Sequence, residues 1–205
     1  MTAVASRAGG RVARLLVALA LGLAGALAAP PAGAGRDEPW PDYAVLMEDG
    51  DFEVRLYAPH VIASYTKRAT YRRAVNEGYI RLERYFTGEN TVPEAMPIAP
   101  PIMVRDDGAE GWTTILVLPP EYRVETAPRP NDQRIRVVEL PERRVAAVRF
   151  RGRLGERVMR REVARLRAWL AARGLAHRGD FTMASYDPPW KPSSLRRAAV
   201  LVTLR

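Results

Sequence analysis

Few side chains in this 205-residue sequence could coordinate a metal or act as nucleophiles, and they are far apart along the chain. The sequence contains no cysteine, and its two histidines, His60 and His177, each lie in a predicted turn, where we expect solvated surface side chains. No His-x-x-x-His spacing, carboxylate cluster, nucleophile elbow or phosphate-binding glycine loop is present. The pattern therefore favours binding over catalysis.

Positively charged groups supply most of the remaining chemistry. Lysine and arginine number 32 against 23 acidic residues, a formal net charge of +9, and Lys67 and Lys191 are the only lysines. Lys191 stands in the sequence Pro188-Pro189-Trp190-Lys191-Pro192, which is a rigid extended turn because proline fixes φ near −65°. Acids are interspersed with the arginines, and no basic run alternates with aromatic residues, so nucleic acid is not the predicted partner. A basic surface of this kind suits an anionic ligand.

The elements that must position these groups occur in two similar sets. Alternation of apolar and polar residues predicts strands, and apolar residues three to four positions apart predict helices. In the first half, strands are predicted at 52–57, 61–67 and 112–118, an extended segment at 97–104, and a helix at 70–86 capped by Gly88. In the second half, strands are predicted at 135–139, 145–150, 181–186 and 198–203, and a helix at 155–173.

The same order of elements recurs after 83 to 88 residues, and a proline pair recurs with it, at Pro100-Pro101 and Pro188-Pro189. We interpret this as an internal duplication, with halves at about 42–118 and 133–205. A β-β-α-β-β unit cannot bury both of its faces alone, so the two copies are expected to pack into one pseudo-symmetric α+β domain. The proline-rich segment between the halves is the predicted linker.

The amino-terminal 34 residues resemble a secretory signal peptide. An apolar stretch at 15–27 is followed by the small residues Ala32-Gly33-Ala34, and three basic residues precede it, Arg7, Arg11 and Arg14. A retained anchor is the alternative, but a membrane-spanning helix needs about 20 apolar residues. Cleavage near Ala34 would leave a single domain at 35–205, periplasmic or secreted, not inserted in a membrane, with a net charge of +6 (29 basic minus 23 acidic residues).

Five segments in this order resemble those of the SOUL/haem-binding protein family. They are Phe52-Glu53-Val54-Arg55-Leu56-Tyr57, Tyr85-Phe86-Thr87-Gly88-Glu89-Asn90, Ile98-Ala99-Pro100-Pro101-Ile102, Tyr186-Asp187-Pro188-Pro189 and the pair Arg196-Arg197 before the last strand. One departure is that Ala198-Ala199 replace the Asn-Glu common after the arginine pair. The resemblance implies a distorted antiparallel β-barrel flanked by two helices, and tetrapyrrole binding.

The same resemblance implies where a haem would bind. Its apolar groove would lie beside the first helix near Tyr79 and Leu82, with Arg84 and Lys191 as partners of the propionates. Tyr79 and Leu82 also fit ordinary core packing, and Arg84 also fits a solvated helix face. Without cysteine the haem would be held non-covalently. Leu56 occupies the position where some family members have a histidine, so an axial ligand is not assured; Met103 and Met183 are conceivable ligands that also suit a core.

Two alternatives remain open. One is a small-molecule effector-binding or sequestration domain without haem, as in the related gyrase-inhibitor-like fold. The other is a hydrolase acting in the same cleft, which would need a buried polar residue with a perturbed pKa, such as Glu77 or Tyr79. A groove rimmed by arginine and lysine would favour porphyrin, whereas buried carboxylates in the pocket would favour another ligand.

Overall fold

The computed structural model describes residues 41–188 and 190–205, so the predicted signal peptide lies outside the described residues. Two helices and nine strands occur in the order β-β-β-α-β-β-β-β-α-β-β. The helices are α1 (Tyr71–Phe86) and α2 (Glu156–Ala172). The strands are β1 (Tyr43–Asp49), β2 (Phe52–Tyr57), β3 (His60–Lys67), β4 (Ile102–Asp106), β5 (Trp112–Val117), β6 (Arg136–Leu140), β7 (Arg143–Arg151), β8 (His177–Ser185) and β9 (Arg197–Leu204).

The predicted elements are present in a single α+β architecture, and their arrangement has the expected internal symmetry. All nine strands form one antiparallel sheet in the order β1-β2-β7-β9-β8-β4-β5-β3-β6. Apart from β1, which has no counterpart, exchanging the two halves (β2 with β6, β3 with β7, β4 with β8, β5 with β9) reproduces this order read backwards. A pseudo-two-fold axis therefore passes between β4 and β8. The two halves also exchange strands at the edges of the sheet, since β2 of the first half pairs with β7 of the second and β6 of the second half pairs with β3 of the first.

The sheet curls strongly but does not close, which corrects the expected barrel. Only Ala58 and Pro59 separate β2 from β3, although these strands stand six positions apart in the sheet. Such a short connection is possible only when the two ends of the sheet approach each other. The edge strands β1 and β6 are not paired with each other, so the barrel is open between them. Because only full closure removes sheet edges, these two edges remain.

The two faces of the sheet have different partners. Both helices pack on one face, where α1 covers β3 and β5 and α2 covers β7 and β9. The predicted apolar stripe of α2 lies inward: Met159, Leu166 and Leu170 are buried and Val163 packs against them. No helix lies over the centre of the opposite face, where a separate apolar cluster includes Tyr57, Met103 and Leu201. That helix-free face is where the sheet curls around a cavity.

Two further observations complete the fold. The sequence reasoning missed β1, which forms a hairpin with β2 through Gly50, a residue with a φ of +59°. Several arginines of α2 take part in ion pairs: Arg165 and Arg161 pair with Glu162, which is 1% exposed, and Arg160 pairs with Glu156. Neither described helix is long and apolar enough to cross a membrane.

Candidate functional site

The principal cavity lies on the helix-free face, at the centre of the curled sheet. Its volume is about 370 Å³, and every strand except β1 contributes to its lining. The aliphatic and thioether part of the wall comes from Ile62, Met103, Ile115, Leu140, Val145 and Leu201. Cavities of about 300–1,000 Å³ with mostly apolar walls are typical of small-molecule sites. This cavity is therefore the best-formed candidate site in the described chain.

His60 and Arg143 meet at this cavity as pseudo-symmetric counterparts. His60 is the first residue of β3 and Arg143 is the first residue of β7, 83 positions later. In a flat sheet five strand steps would separate them by about 24 Å, yet Arg143 Nη2 lies 3.2 Å from His60 Nε2. The curl of the sheet brings them together, and no local sequence pattern predicts the contact.

The structure corrects the prediction that both histidines are solvated. His60 is only 2% exposed, and His177 is half-buried with its ring against Phe181. Burial, reinforced by the charge of Arg143, lowers the pKa of His60 to about 4, although the hydrogen bond to Ala58 opposes the shift. His60 is therefore neutral at physiological pH.

Arg143 is a cation without an acidic partner. Its guanidinium contacts Pro141 O, His60 Nε2 and the ring of Tyr57, and no carboxylate pairs with it among residues 41–188 and 190–205. Burial lowers the pKa of Arg143, yet an arginine stays charged because its ordinary pKa is above 12. Among the described residues that line the cavity, the only carboxylate is that of Asp180, which is exposed. The site therefore has a positive charge available to an anionic group.

A buried charged cluster supports the wall beside this pair. Arg55 and Glu53 are fully buried on the same face of β2, and Arg55 Nε donates to Glu53 Oε2 at 2.7 Å. Arg55 Nη1 also donates to the hydroxyls of Tyr57 and Tyr186, at 3.1 and 3.0 Å. A second guanidinium, that of Arg149, lies 2.9 Å from the other oxygen of Glu53. These bonds fix the Tyr57 ring where it lines the cavity.

The four residues of the predicted groove do not lie at this cavity. Leu82 is fully buried in the core beneath α1 among Tyr65, Phe86 and Leu116, and Tyr79 is half-buried on the same helix. Arg84 is exposed and faces Glu89 at 3.8 Å. The assignment of all four to haem stays a prediction, although a ligand could reach Leu82 only by opening the core.

Arg84 does line a different depression, along the outer face of α1. This open groove of about 570 Å³ has Ile80 as its one aliphatic residue, and four arginines border it, Arg72, Arg73, Arg81 and Arg84. Neither Tyr79 nor Leu82 belongs to its lining. Its charge suits anions, but it offers little apolar surface to a flat macrocycle.

Lys191 lies in the carboxyl-terminal turn and is held by an acidic partner. Its Nζ lies 2.9 Å from Asp187, which also accepts from the backbone N–H of Arg197 at 2.6 Å. Burial alone would raise the pKa of Asp187, but the hydrogen bonds from Arg197 and Lys191 outweigh it and the pKa lies below its usual range. An anionic ligand would therefore compete with Asp187 for Lys191.

The proposed hydrolytic residues do not have the properties of a general base. Glu77 accepts from the Tyr65 hydroxyl at 2.8 Å and pairs with Lys67 and Arg81. The hydrogen bond from Tyr65, with those from the two cations, lowers the pKa of Glu77 to about 2. Burial raises the pKa of Tyr79, which therefore keeps its proton. Within the described residues, no group of three or more His, Asp or Glu could hold a metal ion.

The structure also separates the two candidate methionine ligands. Met103 lines the cavity, whereas Met183 packs in the core under the helices on the opposite face. An apolar cavity on an internal axis, lined by a neutral imidazole and by a guanidinium that no carboxylate pairs with among the described residues, is the kind of site that small-molecule-binding domains have. Comparison with known families makes this class specific. The match to the SOUL heme-binding protein family covers residues 38–203, and the chain belongs to that family. No curated protein matches the chain as a relative.

Solved structures share the fold at low sequence identity. A hydrolase from Listeria innocua is 13% identical, with a TM-score of 0.52 over 78% of this chain and 94% of that one. The EcmrR C-terminal domain is 11% identical, with a TM-score of 0.55 over 80% and 98%. EcmrR in its complex with DNA is 9% identical, with a TM-score of 0.59 over 75% and 57%. At these identities the likeness establishes the fold alone.

Proposed function

We propose that this protein is exported and binds haem or another tetrapyrrole non-covalently, to buffer or carry it. The observation that carries the proposal is the cavity at the centre of the curled sheet. It combines an apolar wall with the guanidinium of Arg143, which no carboxylate pairs with among the described residues. A flat macrocycle gains free energy by burial against aliphatic and aromatic side chains. Its carboxylates need charge-assisted donors, and Arg143 is such a donor. Membership of a haem-binding family supports the same ligand class.

The lining charges favour porphyrin over a cationic ligand. From the sequence, we expect a groove rimmed by basic residues if the ligand is a porphyrin, and buried carboxylates in the pocket if it is another ligand. Arg105, Arg143 and Arg178 border this cavity, although Arg105 pairs with Asp107, and the one acid among the described lining residues, Asp180, is exposed. Arg84 and Lys191 remain candidates for contacts to propionates outside the cavity. Each has an acidic neighbour that the ligand would have to displace.

Titration of the purified protein with haemin, followed by absorbance, tests the proposal. A saturable one-to-one spectral change is expected, and Arg143→Leu should weaken it by about ten- to a hundredfold, the value of a charge-assisted hydrogen bond. Arg144→Leu is the matched control, because Arg144 is the exposed neighbour of Arg143 on β7. Arg84→Ala and Lys191→Ala test the sequence-based site in the same titration. Weak, non-saturable binding that no variant alters would reject the haem proposal.

A second candidate is the binding of a smaller apolar anion without haem. The cavity volume of about 370 Å³ supports it, since this lies near the lower end of the range for ligand sites. The fluorescent probe 1-anilinonaphthalene-8-sulfonate combines aromatic rings with one negative charge and can report this mode. Tight probe binding that haemin does not displace would favour the second candidate.

Export has its own test. Protein recovered from the exported fraction of expressing cells should begin near Gly35 when its amino terminus is sequenced. Retention of residues 1–34 in a membrane fraction would support the anchor instead.

A further inference from the structure

The tautomer of His60 is determined by two hydrogen bonds. Nδ1 lies 2.7 Å from the carbonyl oxygen of Ala58, and a carbonyl only accepts, so Nδ1 carries the proton. Nε2 lies 3.2 Å from Arg143 Nη2, and a guanidinium only donates, so Nε2 must be unprotonated. The contact with Arg143 excludes the doubly protonated imidazolium, and together the two contacts require the neutral Nδ1–H form.

This arrangement is the one a metal-ligating histidine requires. A ligating imidazole is neutral and donates its other N–H to a carbonyl or carboxylate, which fixes the ring and makes the free nitrogen more basic. In His60 the anchor is Ala58 O, within the two-residue connection between β2 and β3. The ring is 2% exposed and lines the cavity, so its position is set by the fold.

The Nε2 lone pair of His60 accepts a hydrogen bond from Arg143. Arg143 belongs to the same cavity wall, and it has no acid among the described residues to bind it elsewhere. Its contact with Nε2 is a single N–H···N hydrogen bond, and its other polar contact among the described residues, to Pro141 O, is 3.4 Å long. A ligand carboxylate would offer the guanidinium a stronger, charge-assisted partner.

We propose that His60 is the axial ligand through which this cavity coordinates haem iron, Nε2 donating its lone pair after Arg143 turns to a propionate. The inference rests on the proposed function and extends it to a named pair of residues. Arg143 then has two roles: it keeps His60 neutral and in the ligating tautomer before haem arrives, and it pairs with the ligand's carboxylate afterwards. Coordination involves no change of oxidation state, since only a lone pair is shared.

The test compares haemin with metal-free protoporphyrin IX, because only the former can report ligation. With haemin, the protein should give the absorbance and electron paramagnetic resonance spectra of imidazole-bound ferric iron. His60→Ala should abolish these signatures, and added imidazole should restore them. His60→Ala should weaken the binding of haemin more than it weakens the binding of metal-free protoporphyrin IX, because only haemin loses an iron ligand.

Several controls keep the outcomes distinct. His177→Ala removes the other histidine and should leave the spectra unchanged. His60→Asn keeps a donor for Ala58 O and serves if the alanine variant does not fold. Haem spectra that survive both His60 substitutions, or that are lost in His177→Ala, would overturn the ligand assignment while porphyrin binding stands. If the unaltered protein binds neither haemin nor metal-free protoporphyrin IX, the proposed function fails, and the axial-ligand proposal fails with it.

Discussion

Replacing Glu53 by glutamine should destabilise the fold far more than a surface substitution of the same kind. Glu53 is fully buried, and two guanidinium groups, those of Arg55 and Arg149, lie 2.7 and 2.9 Å from its oxygens. Glutamine preserves the shape but removes the negative charge, which leaves buried Arg55 near Arg149, a guanidinium that is 35% exposed and also pairs with Glu48. Breaking a buried ion pair in this way costs about 3–5 kcal/mol. Because the amide oxygen can still accept from Arg55, we expect about 3 kcal/mol, the lower end of that range.

Urea and thermal unfolding followed by circular dichroism measure this cost. For a domain of this size 1 kcal/mol corresponds to about 2–4 °C, so Glu53→Gln should lower the Tm by about 6–12 °C. Glu156→Gln is the matched control, because Glu156 is 41% exposed and pairs with Arg160 one helical turn away. Such an exposed pair is worth about 0.3–0.5 kcal/mol. If the two variants unfold within 1 kcal/mol of each other, the buried cluster does not support the cavity wall as we infer.

Three more predictions follow from other contacts. His60 has a pKa of about 4 when folded and near 6.5 when unfolded, so between these pH values the unfolded chain binds more protons than the folded chain. The free energy of unfolding should therefore fall as the pH falls from 7 to 4, by about 3 kcal/mol at most. Urea titrations of His60→Asn across this range should lack that loss, and an unchanged pH dependence would contradict the prediction. Arg143→Leu should raise the pKa of His60, which burial still keeps below 6.5, and a lower value in a proton NMR titration would be inconsistent with the contact. Gly78→Ala should destabilise the fold by about 1–3 kcal/mol, although alanine has the better helix propensity. The added Cβ would overlap the Thr114 hydroxyl and lie 2.7 Å from Thr114 Cβ. Thermal unfolding checks this prediction, with Gly155→Ala as the control because a Cβ there meets open space.

The elements of the fold followed from local patterns, and the missed strand shows their limit. Helix α2 was predicted at 155–173 and spans Glu156–Ala172, because its apolar stripe and closing glycine are local signals. Strand β1 was missed, although Asp49-Gly50 is a recognised turn signal between two runs of strand-forming residues. Its burial pattern is irregular and its centre exposed, since it is an edge strand, so alternation gave little indication.

The haem site implied by the resemblance stays a prediction, and the structure adds a cavity that the sequence did not indicate. Resemblance placed the ligand beside α1, but Leu82 is in the core there and the adjoining groove is mainly polar. His60 was expected on the surface, because it follows Pro59 in a turn. The turn between β2 and β3 connects the two ends of the curled sheet, and this position buries His60.

Sequence alone determined which residue types are available to a site and the repeated order of the elements. The order can be predicted because periodicity and turn residues act over a few neighbouring positions. It identified an α+β chain built twice, a basic domain without thiols, and the family to which the chain belongs. Only the tertiary structure brought together His60 and Arg143, 83 residues apart, since their contact depends on the curl of the six strands from β7 to β3. The charge that the cavity offers and the tautomer that faces it are therefore properties of the fold.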